Sequence, residues 1–200
     1  MQTEEEEEGF AQGEPQCPFT KGIILLMIED DSSYVRIAAI NVMSHFATLF
    51  PEIRKRCLHA QIDMLNDEID YVRIAALHGI QQFNSVLSLE EYELDIVLFN
   101  LNEDNTKLRE EIYKFFMEVK LEQEFILLKL LEKLTVCIKK FQGDKEIIFK
   151  LMKALGKSHA YMVQKLLKQI LDYDERYLTL ERDWKDMAYV SRMVLVFHAA

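Results

Sequence analysis

Apolar side chains recur every three or four positions along most of this chain, and short polar turns interrupt them. That period predicts helices. The first is expected over residues 20–29, with Thr20 as N-cap and the run Ile23–Ile28 apolar on every side, as in a helix covered by neighbours. A second opens after Ser32 or Ser33 and turns Val35, Ala38, Ala39, Val42, Met43, Phe46 and Leu49 inward. Pro51 ends it and opens a third over 52–65, since proline is tolerated in a first turn but not in a helix interior. A fourth is expected over 70–86, burying Val72, Ala75, Ala76, Ile80 and Phe83. Ser88 to Glu91 reads as a capping box with Ser88 at the N-cap, starting a fifth helix through Leu94, Val97, Leu98 and Leu101. A sixth runs over 106–119. Phe125 to Ile138 and Ile147 to Leu155 form two more, the latter closed by Gly156 as its C′ residue. Ser158 caps another, carrying Met162, Val163, Leu166, Leu167 and Ile170. Residues 172–185 read as an irregular linker, and 186–200 as the start of a further helix that stops mid-pattern, as though the array continued.

One hexapeptide occurs twice in this pattern. Tyr34-Val35-Arg36-Ile37-Ala38-Ala39 returns as Tyr71-Val72-Arg73-Ile74-Ala75-Ala76, 37 positions later, and a fainter copy around Leu108-Arg109 follows 36 positions after that. Each copy follows an acidic turn and opens a helix. Two helices per 36 to 37 residues fits the HEAT or armadillo class, so the fold expected is an all-α solenoid of two-helix repeats over 19–171, with four to five helical pairs. The Val or Leu of each copy (Val35, Val72, Leu108) is expected to be buried between helices. An acid stands six positions before each arginine: Asp30 before Arg36, Asp67 before Arg73, Glu103 before Arg109. These six residues are expected to form a ladder that fixes the stacking register. Partly exposed pairs of this kind are worth at most about 1 kcal/mol each.

Composition narrows the class. Two hundred residues, half of them hydrophobic, can bury a sizeable core. Six Gly and three Pro are too few for a chain rich in β-turns. Cys17, Cys57 and Cys137 are far apart and form no CxxC, which points to reduced thiols, two of them buried, in a cytosolic or nuclear protein. The longest pure apolar run is six residues, Ile23–Ile28, far short of the roughly 20 a membrane span needs.

The net charge of −10 is unevenly spread. Residues 1–18 carry six acids and no Lys or Arg, which reads as a disordered acidic tail. Residues 86–124 carry eleven acids against four bases, whereas 125–171 carry ten lysines against three acids. Lys129, Lys133, Lys139, Lys140, Lys150, Lys153 and Lys157 from that basic block are either solvated faces or a patch for nucleic acid or another polyanion. The block holds no arginine, the side chain favoured for bidentate phosphate contacts, which weakens the second reading.

Nothing in the motifs asks for catalysis, a metal or a cofactor. His45, His59, His78, His159 and His198 form no HxxxH or HExxH, none is followed by Glu, and there is no GxGxxG, GxxxxGK[ST] or GxSxG.

Three stretches carry a resemblance. Asp63-Met64-Leu65-Asn66-Asp67-Glu68-Ile69-Asp70-Tyr71-Val72-Arg73 resembles the HEAT region of the Integrator complex subunit 4 family. Residues 144–159 (DKEIIFKLMKALGKSH) and 187–200 (MAYVSRMVLVFHAA) resemble later segments of the same family, and are more specific because they fall outside the repeat consensus. The resemblance covers roughly residues 20–200, in order. It implies a nuclear, non-catalytic scaffold in a complex bound to RNA polymerase II that cleaves nascent RNA, including small nuclear RNA 3′ ends. It implies other Integrator subunits as partners, chiefly the heterodimer of subunits 9 and 11, whose zinc endonuclease does the cutting. Family members are far longer than this chain, and the Glu-rich start is not a family motif. A generic HEAT adaptor and a polyanion-binding solenoid stay open as alternatives.

Overall fold

A computed structural model of the chain describes residues 23–83, 86–172 and 185–200. The tail expected over 1–18, the N-cap Thr20 and nearly all of the linker expected over 172–185 lie outside the described residues. The helices are α1 (Ile23–Ile28), α2 (Ser33–Leu49), α3 (Arg54–Asp63), α4 (Asp70–Phe83), α5 (Glu91–Phe99), α6 (Thr106–Glu118), α7 (Glu124–Lys140), α8 (Lys145–Ser158), α9 (Ala160–Lys165), α10 (Leu167–Ile170) and α11 (Met187–Ala199). Short 3-10 turns at Pro51–Ile53, Met64–Asn66, Asn100–Asn102 and Gln142–Asp144 join or extend them.

The packing is that of an all-α solenoid. In one layer α2, α4, α6, α8 and α11 each pack against the next, and in the other α3, α5 and α7 do the same. Each first-layer helix thus buries one stripe between its pair partner and the adjacent pairs. Ile40 and Met43 of α2, Leu77 and Ile80 of α4, Ile112 and Phe116 of α6, and Leu151 and Leu155 of α8 are all buried. The core is one continuous cluster running from Ile28 to Ala199. α11 packs most extensively on α8 and also meets α7 and α9, so it closes a fifth pair with α9 and α10.

Several local expectations shift. Ile23–Ile28 is not covered all round: Leu26 is 70% exposed and Leu25 and Met27 are also exposed, because α1 packs chiefly on α2. For the same reason Val35 is only half-buried, whereas Val72 and Leu108, flanked on both sides, are fully buried. Val42, Leu49 and Val136 lie on outer faces and are exposed, as is Ala38; its neighbour Ala39 takes the close contact. Glu90, not Ser88, is the N-cap of α5, and the Glu93 carboxylate accepts its N–H at 2.8 Å. The shift of two residues follows from Leu89, which is buried and donates its N–H to Gln123 Oε1 at 3.1 Å.

Gly156 does not end α8 but sits inside it. A Cβ there would lie 2.4 Å from the Leu195 carbonyl oxygen, so the missing side chain is what lets α11 seat on α8. The helix runs on to Ser158, whose Oγ donates back to the Ala154 carbonyl at 2.9 Å, leaving His159 as the N-cap of α9.

Val86 belongs to no helix. Val86–Leu87 (β1) pairs in parallel with Lys120–Leu121 (β2), Val86 opposite Lys120 and Leu87 opposite Leu121. Both strands are loops between successive helical pairs, and they meet because the pairs stack.

Candidate functional site

The acidic turns before α2, α4 and α6, and their counterpart before α8, line one edge of the array. Asp30 and Asp67 each fold their turn locally, accepting the N–H two residues on (Ser32 and Ile69) at 2.8 Å. The arginines reach from one turn to the next. Arg36 donates from Nη1 to the Asp30 carbonyl at 2.9 Å and from Nη2 to Asp67 Oδ1 at 3.0 Å. Its Nε lies 2.8 Å from Asp67 Oδ2 as an ion pair without hydrogen-bond alignment. Arg73 donates to Asn100 Oδ1 at 3.0 Å, lies 3.5 Å from Glu103 and is bound by Asp70 of its own helix. Arg109 donates to the Glu103 carbonyl at 2.7 Å, and from Nε and Nη2 to Asp144 at 2.6 and 3.0 Å.

The three rungs differ in kind. The Arg73 carboxylate partners are substantially exposed, so that rung is electrostatically weak. Arg109 and Asp144 are buried, at 4% and 2% side-chain exposure, unlike the partly exposed pair expected. The Phe141 ring lies 3.7 Å from the guanidinium carbon, and Tyr113 Oη donates to Asp144 Oδ2 at 3.1 Å. The hydrogen bond with Asp144 raises the Arg109 pKa against the opposing effect of burial. Burial, with the neighbouring Cys137 and Asp144, pushes the Tyr113 phenol far above its ordinary range.

Asp144, Tyr113, Asp70 and Asn100 are absent from the ladder read in the sequence. Asp144 carried one signal: it is the acid opening the next first-layer helix. Its spacing of 41 residues from Glu103 hid it from a repeat of 36 to 37.

The opposite edge carries a second set of contacts between successive helical pairs. The β1–β2 pairing is extended by His159, whose Nε2 accepts the Leu121 N–H at 2.8 Å while Nδ1 faces the Leu155 carbonyl at 3.3 Å. An imidazole that accepts at Nε2 must be neutral, with its proton at Nδ1. Burial lowers the His159 pKa, the Leu155 contact opposes the shift, and nearby Lys120 adds to it.

The seven lysines do not share one face. On α7, Lys129 pairs with Glu91 at 2.7 Å and Asp95 at 3.1 Å, Lys133 donates to Asn102 Oδ1, and Lys140 donates to the Asn102 carbonyl at 2.9 Å. Lys139 stands 3.9 Å from Asp186. Lys150, Lys153 and Lys157 form a separate exposed row on α8. Two histidines instead bridge neighbouring pairs: His59 to the buried Glu93, and His78 to Glu111 at 2.9 Å. Among the described residues, no group of His, Cys, Asp or Glu is arranged to hold a metal, and no helix is long and apolar enough to cross a membrane. Cys57 and Cys137 are buried thiols that form no disulfide among the described residues, while Cys17 lies outside them.

No family model matches the sequence. The chain is similar to proteins named Integrator complex subunit 4. That of Homo sapiens is 32% identical over 177 residues, covering 86% of this chain and 18% of the human protein. That of Xenopus laevis is 31% identical, with the same coverage of each. That of Drosophila melanogaster is 28% identical, over 90% of this chain and 18% of the fly protein. The chain therefore spans about 18% of the length of the relatives it matches. Across most of its own residues, this two-layered helical array is homologous to one stretch of Integrator complex subunit 4.

Proposed function

We propose that this chain is a non-catalytic scaffold of an Integrator-type assembly in the nucleus. Its array offers a surface on which other subunits are held. The subunits in question are those of the RNA endonuclease module, the heterodimer of subunits 9 and 11, acting in small nuclear RNA 3′-end processing and transcription by RNA polymerase II. The observation that carries this reading is the similarity to Integrator complex subunit 4 over 86% of the chain. An α-solenoid suits the role physically. Each pair touches only its neighbours, so the array presents long surfaces whose shape depends on the stacking register. The arginine–acid rungs on one edge and the β1–β2–His159 contacts on the other would hold that register.

The test is a tagged pull-down of this chain from nuclear extract, read for the subunit 9–subunit 11 heterodimer, other Integrator subunits and RNA polymerase II. Recovery of the nuclease pair is expected. Recovery of other Integrator subunits without it overturns the nuclease-supporting role and keeps the scaffold. Recovery of none, from protein shown to be folded, overturns the scaffold reading for this chain.

A further inference from the structure

On neighbouring first-layer helices, two rows of side chains stand side by side. Lys150, Lys153 and Lys157 lie at i, i+3 and i+7 of α8, all exposed. That spacing puts three ammonium groups on one face, spread over about 10 Å of helix. Among the described residues none of the three has a carboxylate within ion-pair distance, in contrast to Lys129 and Lys165, which do. Val190, Met193 and Phe197 lie at i, i+3 and i+7 of α11; the first two are half-buried and Phe197 is 71% exposed. The rows correspond position for position, each α11 residue 40 after its α8 partner, and the close seating of α11 on α8 at Gly156 brings the two helices together.

An apolar row beside a cationic row that has no carboxylate partner among the described residues is a two-part recognition surface. Burial of the apolar row favours an amphipathic helix laid along it. The lysine row decides its charge, favouring carboxylates on one flank and rejecting a basic helix. We propose that the outer faces of α8 and α11 dock an acidic amphipathic helix of a partner protein. Its apolar stripe lies on Val190, Met193 and Phe197, and its carboxylates pair with Lys150, Lys153 and Lys157. This deepens the scaffold reading and rests on it, since it places one partner-holding surface on the array. A bare polyanion would use only the lysine row and would leave Phe197 idle.

The test uses the full chain and a fluorescent synthetic peptide of about 18 residues, roughly five helical turns. The peptide carries leucines at i, i+3 and i+7 and glutamates along one flank. Binding is expected to weaken as salt is raised. It should fall about tenfold or more in Lys150→Glu/Lys153→Glu/Lys157→Glu and, independently, in Phe197→Ser. All these side chains are exposed, so far-UV ellipticity should be unchanged. A peptide with lysines in place of the glutamates should bind the charge-reversed variant and not the parent.

Equal binding of acidic and basic peptides by the parent chain would overturn the proposal. So would binding of a single-stranded oligoribonucleotide or polyglutamate that displaces the peptide and ignores Phe197→Ser, which would make the row a simple polyanion site. The two readings fail separately. If the charge-reversed variant still recovers Integrator subunits at parental yield, this surface is wrong and the scaffold stands. If the parent recovers none while the peptide binds as described, the surface stands and the Integrator role does not.

Discussion

Arg109 and Asp144, 35 residues apart, form a bidentate ion pair closed off from water by Phe141 and Tyr113. It joins the third helical pair to the fourth where the sequence repeat has already faded. A buried pair of this sort is costly to halve, because the remaining charge stays in a low-dielectric site without its partner.

Asp144→Ala is therefore expected to destabilise the fold by about 3–5 kcal/mol, read from urea unfolding of the purified chain. Arg73→Ala should cost about 1 kcal/mol or less, since the carboxylates around it are partly solvated. Equal losses for the two would show that burial does not set the strength of the rungs.

Gly156→Ala should loosen α11. The new methyl would meet the Leu195 carbonyl at 2.4 Å, and overpacking of this kind costs about 1–3 kcal/mol. Gly143→Ala, with nothing within 4 Å of its Cβ, should change stability by less than about 1 kcal/mol. Hydrogen exchange would localise the effect: faster exchange of α11 amides in Gly156→Ala, with α4 unchanged.

The pH dependence of stability follows from His159. Its folded pKa is lowered below the ordinary 6.5, so as pH falls through 6.5 the unfolded chain takes up a proton that the folded chain refuses. The contribution is present above that pH and is lost below it, at a slope of up to about 1.4 kcal/mol per pH unit until the folded pKa is reached. His159→Gln keeps an acceptor for the Leu121 N–H without titrating. Its unfolding free energy between pH 7.5 and 5.5 (about a unit either side of the ordinary value) should fall less steeply than that of the parent chain.

Thiol labelling reports on the core. Burial raises the Cys137 pKa and, with the closed packing around Cys57, should leave both sulfurs unreactive in the folded chain. Their labelling rates in native buffer should track global unfolding across a denaturant series. Fast labelling of Cys137 in buffer would contradict the packing of α7 against the Asn100–Asn102 turn, where its Sγ sits 3.8 Å from the Leu101 carbonyl.

Much of the fold was legible along the chain because a helix announces itself locally. The 3.6-residue period of apolar positions and boundary residues such as Ser32 and Pro51 mark where helices begin and end. The duplicated hexapeptide gave the stacking class, since an identical stretch at a fixed interval implies the same surroundings. Where surroundings differ, the local pattern misleads. Val35 repeats Val72 in sequence but is less covered, because among the described residues only α1 lies on its far side. Gly156 reads as a stop from its own residue type and is in fact the floor beneath a helix that begins 31 residues later.

The sequence by itself determined the helices, their pairing by repeat and the family to which the stretch is related, because all three depend on residue types at fixed spacing. Only the tertiary structure decided which charges meet and which stay free. Asp144 closes the Arg109 rung, His159 extends the β1–β2 loop contacts, and Lys129, Lys133 and Lys140 of α7 are taken up by Glu91, Asp95 and Asn102, while the α8 row has no such partner among the described residues. These partners lie 31 to 38 positions apart and come together only once the pairs have stacked, at a distance no local pattern encodes.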